Sequence, residues 1–510
     1  MAAPGPVAAP PFLEPARAMT AAANEDLELP QDPDQEPDPD QQDPDQEPEA
    51  AAIPLLAPRD GVPDVVVDAP ALAAAATALA GGTGPLAVDA ERASGYRYGQ
   101  RAYLVQLRRA GAGTVLVDPI AVPDLSPLGA QELDAEWVLH AASQDLPCLA
   151  EVGMRPRRLF DTELAGRLAG LERVGLGAMV ESVLGYRLEK GHSAADWSTR
   201  PLPEPWLRYA ALDVELLVEL RDALEQDLRE QGKLEWAREE FAAILDAPVK
   251  EPVAEPWRRT SGLHRVRSRR QLAAVRRMWE VRDEIARRRD LAPGRVLPDR
   301  AIVDAVLAAP ASIAGLERLP VFSGPRMRRT SAVWFAALEV ARALPDDELP
   351  GSGSGSGLPP ANRWSDRDPA AAERLLAARA TMSALAEEYG VPAENLLEPA
   401  LLKRLCWAPP EPLNAASLEA ALRVGHARQW QMGLVLEPLL VALAGSAGVK
   451  RGRRSRQSPA ASTVSSSSSP RPDSPERGAK LVTQPAAASS AVRSGMVMGR
   501  EPPPSVPTHT

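Results

Sequence analysis

The chain has 510 residues, 45% hydrophobic and 25% charged but only 4% aromatic, with 52 prolines, so two to four domains are expected and part of the length lies outside any packed core. No run reaches the roughly 18–20 consecutive apolar residues that cross a bilayer, and the two cysteines, Cys148 and Cys406, support neither a disulfide framework nor a cysteine-based zinc site. The net charge of -11 is segregated, with 12 acidic and no basic residues at 25–49 against 10 basic and 3 acidic at 450–510, so an anionic partner is not excluded.

Residues 1–62 carry a repeat, Asp-Pro-Asp-Gln-Glu-Pro at 32–37 and 43–48, with little to bury. They are expected to be a disordered acidic tail. The first residues lack a basic stretch ahead of an apolar run, so a soluble cytoplasmic protein is expected. Over residues 63–245 the apolar runs at 85–88, 103–107, 114–117 and 137–139 read as strands. Short glycine-containing turns between the first three predict antiparallel pairing, and later alternation with helices predicts a layered α/β domain. Residues 207–241 read as one or two long helices. Residues 246–262 form a proline-rich connector to an all-helical block at 263–345. There the spacing predicts a helix over 269–289, with Leu272, Val275, Met278 or Trp279, Arg282 and Ile285 on one face, and a second over 299–308. A Gly/Ser tether lies within 346–362, and a second helical block runs over 363–445, with Leu375, Met382, Leu385 and Tyr389 on one face. Residues 446–510, rich in Ser, Pro and Arg, are expected to be a disordered basic arm.

Four carboxylates and one tyrosine stand out by position. Asp89 and Glu91 follow the run Leu86-Ala87-Val88, and residues two apart on a strand share a face. Asp145 follows a second strand at the start of the next helix, where the helix dipole favours a carboxylate. Tyr209 and Asp213, four apart, share a helix face. Oxygen ligands of this kind select hard cations such as Mg²⁺ or Mn²⁺, which would also relieve the mutual repulsion of the acids. Two such ions about 3.5–4 Å apart can activate a water and stabilise the leaving oxygen of a phosphodiester. The neutral phenol of Tyr209 is suited to holding that water.

The flanks of these residues resemble the DEDD superfamily of 3′–5′ exonucleases, in the branch with tyrosine in the last motif, and most closely the ribonuclease D family. The resemblance rests on Val88-Asp89-Ala90-Glu91, on residues 139–146 from Leu139 to Leu146, on Phe160-Asp161-Thr162, on the loop 190–202 with its Asp196-Trp197 and Arg200-Pro201-Leu202, and on Tyr209-Ala210-Ala211-Leu212-Asp213. It implies an RNase H-like fold, release of 5′-nucleotides from a 3′ end, Asp89, Glu91, Asp145 and Asp213 as metal ligands, and Tyr209 positioning the attacking water with help from Glu91. Ala90 and Arg92 depart from the Thr and Phe or aliphatic residues usual in the first motif, and Arg92 is expected to face solvent. His140, Lys190, His192 and Arg200 are candidate substrate contacts, with a strand-end hydrogen bond the competing role for His140. Asp196 and Trp197 read as loop braces, and Asp161 and Thr162 as helix capping.

Residues 257–300 hold 14 arginines against 5 acids, an electrostatic footprint for a phosphate backbone. This block resembles an HRDC domain, through the helix after Ser268 and the segments Asp290-Leu291-Ala292-Pro293 and Val296-Leu297-Pro298-Asp299. The block at 363–445 resembles a second, more divergent copy. Together these features predict a metal-dependent 3′–5′ exoribonuclease, acting as a monomer on RNA with a free 3′ end such as tRNA precursors. A DNA exonuclease on the same architecture and a noncatalytic RNA-binding protein are the alternatives. The absence of a Walker loop argues against an ATP-driven helicase.

Overall fold

The computed structural model describes residues 52–449 except 130–133, 190, 193, 249–252 and 352–356. The tails expected to be disordered lie outside the described residues except at 52–62 and 446–449, where the expectation fails: Ile53–Leu55 pairs as a strand with Tyr186–Leu188, Arg59 pairs with Glu215 and Glu219, and the last helix runs on to Val449. Among the described residues, no helix is long and apolar enough to cross a membrane.

The strands are β1 (Ile53–Leu55), β2 (Val65–Val66), β3 (Thr83–Arg92), β4 (Ala102–Ala110), β5 (Gly113–Val117), β6 (Trp137–Leu139), β7 (Leu159–Asp161) and β8 (Tyr186–Leu188). Six of them form one mixed sheet in the order β2-β5-β4-β3-β6-β7. β3, β4 and β5 are antiparallel, as the short turns predict, and β6 and β7 add parallel to the open edge of β3. Leu86, Val88, Leu107, Val117, Val138 and Leu139 are essentially inaccessible, consistent with helices on both sides of the sheet. β1 and β8 pair separately.

The stretch expected as one or two long helices is three: Glu204–Glu215, Leu217–Glu230 and Leu234–Leu245. Leu216 leaves helical geometry at φ -111°, ψ 8°, with no signal in the sequence. The second break is at Gly232, whose φ of +71° suits a residue without Cβ.

The helices expected at 269–289 and 299–308 occur as Arg269–Arg289 and Asp299–Ala308, with Leu272, Val275, Met278, Arg282 and Ile285 of the first buried. Ser268 starts it with a capping box to Gln271. Trp257, assigned by composition to the connector, is 3% exposed and sits in the core of this block with Phe322 and Trp334. The same helical sequence recurs 100 residues on. Arg269–Arg289, Pro293–Val296 and Asp299–Ala308 are followed by Pro369–Tyr389, Ala393–Leu396 and Pro399–Trp407. Both long helices end in a left-handed residue, Asp290 in one and Gly390 in the other. The first block keeps its own apolar core, whereas the second shares one with the sheet domain.

Candidate active site

On β3, Val88 and Ala90 enter the core while Asp89 and Glu91 project from the other face. The helix Glu204–Glu215 packs against β3, β4 and β5 through small residues, Ala210 and Ala211, which touch a cluster with Tyr103, Leu104 and Leu116. This close approach brings Asp213 to the strand. One carboxylate oxygen each from Asp89, Glu91 and Asp213 lies within 4.8 Å of the others.

Asp145 reaches the same region from the turn after β6. In that turn Ala141 has φ 57°, a left-handed conformation that an L-residue holds only when its surroundings enforce it. Asp161 enforces it by accepting from the backbone N–H groups of Ala141 at 3.1 Å and Ala142 at 2.9 Å while capping the next helix through Leu164 N. The helix dipole expected to favour ionised Asp145 does not govern it. That helix, Leu146–Glu151, has six residues and takes no side-chain cap bond from Asp145. Burial, and then the charge of Asp89, push the Asp145 carboxyl up to about 8. Glu91 is raised well above the carboxylate range by burial and then by Asp89, Asp213 and Asp145. Asp213 is raised by burial and then by Asp89. Burial also raises Asp89, against the Ala90 N–H and Arg92. Four mutually repelling, desolvated carboxyls with only oxygen donors fit a site for hard divalent cations. Asp145 Oδ1 is buried without a well-directed hydrogen bond, a further mark of an oxygen suited to a cation.

Tyr209 lies one turn before Asp213. Its hydroxyl is kept protonated by burial and by the charges of Asp213, Glu91 and Asp89. The His192 ring stands edge-on to it, centroids 6.0 Å apart. Lys190 lies outside the described residues. His140 and Arg200, expected as substrate contacts, have other roles. His140 Nδ1 is 3.0 Å from Thr162 Oγ1, and burial pushes its pKa down to about 4, so it is a neutral strand-end residue. Arg200 donates to both Asp118 oxygens at 2.7 and 2.8 Å and to the carbonyls of Tyr103, Trp197 and Thr199. Its fork is spent on bracing the loop, leaving nothing for phosphate. Trp197 is fully buried against Trp206, and Asp196 accepts from Ser198, as a brace requires.

Two side chains at the site are not singled out by the motifs. Arg92, expected in solvent, pairs with Asp145, Nη2 to Oδ1 3.1 Å. Gln106, opposite Asp89 on β4, is fully buried with both amide atoms unpartnered. A lone amide within the apolar run Tyr103-Leu104-Val105-Gln106-Leu107 is the signal that marks it.

A family described as 3′-5′ exonuclease matches residues 64–229, the HRDC domain matches 271–338, and a family described as 3′ to 5′ exonuclease C-terminal domain matches 357–443. A single HRDC match is therefore found where two copies were expected. Ribonuclease D of Gluconacetobacter diazotrophicus is 34% identical over 273 residues, 52% of this chain and 68% of that one. Ribonuclease D of Escherichia coli is 32% identical over 271 residues, 52% and 71% of the two chains. Among solved structures, a protein from Bifidobacterium adolescentis superposes with a TM-score of 0.70 at 39% identity, covering 77% of this chain and 100% of its own. Escherichia coli RNase D, described as an exoribonuclease involved in structured RNA processing, superposes with a TM-score of 0.55 at 27% identity, covering 71% and 98%. The chain belongs to the ribonuclease D family of 3′–5′ exoribonucleases.

Proposed function

We propose that this enzyme trims structured RNA, tRNA precursors among them, from the 3′ end in the cytoplasm, as a monomer dependent on two divalent cations, Mg²⁺ or Mn²⁺. The observation that carries the reading is the convergence of Asp89, Glu91 and Asp213 oxygens within 4.8 Å, with Asp145 near enough for the charge of Asp89 to raise its carboxyl. These four carboxylates would hold the cations, which when bound make a water more acidic and neutralise charge on the leaving oxygen. Tyr209, protonated and beside Asp213, orients the attacking water, and Glu91 accepts its hydrogen bond. His192, next to Tyr209, and Lys190 contact the terminal nucleotide or its phosphate.

The helical blocks grip the folded part of the RNA. Much of the arginine charge at 257–300 is engaged within the protein, for example Arg282 with Asp299 and Arg265 with Asp304. Arg289, Arg326 and Arg329 nevertheless line one groove of about 240 Å³ on the first block, a placement that suits a phosphate backbone. The block at 363–445 is read as a divergent second HRDC copy, supported by the three helices that recur 100 residues apart.

The test is a 5′-labelled tRNA with a 3′ extension, incubated with Mg²⁺ or Mn²⁺, with a matching DNA strand in parallel. Stepwise shortening from the 3′ end of the RNA, with release of 5′-nucleotides, is expected. Activity that survives EDTA or Asp89→Asn would contradict the cation mechanism, and preference for the DNA strand would contradict the substrate.

A further inference from the structure

Arg92 ends β3, one residue beyond Glu91. Strict alternation would turn it to the opposite face. The register of β3 on β4 shifts at this step, with Glu91 opposite Leu104 but Arg92 opposite Ala102. Irregularities of this kind increase the local twist and re-aim side chains. The guanidinium reaches Asp145, with the Arg92 side chain 19% exposed and that of Asp145 7%. Among the described residues, this is the one ion pair formed by any of the four site carboxylates. Its charge also acts on Asp89 and Glu91. A guanidinium keeps its charge at any working pH, so the site carries a permanent cation supplied by the chain itself.

We propose that Arg92 is a resident counter-cation that competes with a divalent ion for Asp145. The inference rests on the reading that the acids hold cations. Among the described residues Asp89, Glu91 and Asp213 form no ion pair, and these three, whose oxygens lie together, accept the first ion. An ion that uses Asp145 must displace the guanidinium, so it binds more weakly than the carboxylate count alone would give. Arg92 is thus a positioning residue: it stabilises the cluster of acids before metal enters and sets the concentration at which the second ion is taken up. The stem of an arginine is long and flexible, so displacement needs no movement of the strand.

The experiment is a Mn²⁺ titration of the full chain, read by calorimetry and by loss of the free-ion electron paramagnetic signal, with wild type, Arg92→Gln, Arg92→Lys and Asp89→Asn. Removing a unit charge a few ångströms from the ion is expected to tighten the weaker Mn²⁺ site of Arg92→Gln at least about tenfold, while Arg92→Lys stays within about threefold of wild type. In EDTA, Arg92→Gln melts at a lower temperature than wild type, and Mn²⁺ removes the difference. Should Gln not fold, Arg92→Met keeps the stem without the charge and gives the same reading. A wild type that binds two ions with an isotherm superposable on that of Arg92→Gln overturns the role of Arg92 alone. A wild type that binds none, indistinguishable from Asp89→Asn, overturns the cation site and this inference together.

Discussion

The two helical blocks repeat the same three-helix order, yet they attach to the exonuclease domain by different physics. The second block continues the domain's apolar core. Trp430 stacks on Trp236 at 5.0 Å and donates to Glu240 at 3.0 Å, and Arg428 pairs with Glu240 at 2.8 Å. The first block keeps a separate core and docks through polar groups on the loop between β3 and β4. Tyr98 donates to both Asp283 oxygens at 3.1 Å, Ala292 N–H donates to Tyr96 O at 3.0 Å, and Arg295 donates to Gly95 O at 2.7 Å while lying 3.9 Å over the Tyr96 ring. Arg97 and Arg101 face Asp290 at 3.7 and 3.8 Å. An apolar seam fuses two units into one cooperative body, whereas a polar latch holds position and can be loosened separately. The latch grips Gly95, Tyr96, Arg97 and Tyr98, so the docked block is tied to the loop that leaves the acid-bearing strand after Arg92.

Trp430→Ala should give the largest effect, about 3–5 kcal/mol of stability, because it empties a buried indole site and strips Glu240 of a donor. Denaturant unfolding should show the exonuclease domain and the second block falling together. A separate early transition for that block would break the distinction between seam and latch. Tyr98→Phe removes a hydrogen bond to a carboxylate, worth about 1.5–3 kcal/mol. It should speed proteolysis between the exonuclease domain and the first block while leaving the main unfolding transition in place.

The acid pocket adds a pH test. The folded-state pKa of Asp145 is about 8, above its ordinary 3.8, so the folded state holds the proton more tightly than the unfolded chain does. The resulting stabilisation is full below about pH 4 and is lost as pH rises towards 8. In EDTA the melting temperature of the exonuclease unit should therefore fall across this range, less so in Asp145→Asn, and Mn²⁺ should abolish the slope. The transition of the first block should not respond to Mn²⁺. The smallest effect is that of salt. Raising it screens the Arg97 and Arg101 pairs with Asp290, which are exposed and worth at most about 1 kcal/mol, so scattering should show a modest expansion from the latch.

Much of this was legible in the sequence because periodicity and local chemistry decide it. The helices Arg269–Arg289 and Asp299–Ala308 follow from apolar spacing, a capping serine and flanking prolines. Asp89 with Glu91 and Tyr209 with Asp213 share faces through the two periods of strand and helix. What was not legible depends on tertiary placement. The shift of register that brings Arg92 to Asp145 exists only once β4 pairs with β3. Arg200 is a phosphate contact in isolation and a brace once Asp118 lies beside it. Trp257 belongs to a core assembled from residues up to 92 positions downstream, so composition placed it in a connector.

Anomalous diffraction from crystals soaked in Mn²⁺ decides whether Asp89, Glu91, Asp145 and Asp213 make one cation pocket. Two peaks bounded by these four carboxylates, both lost in Asp89→Asn, are the predicted result. Manganese bound elsewhere, or peaks in the pocket unchanged by that substitution, would contradict it.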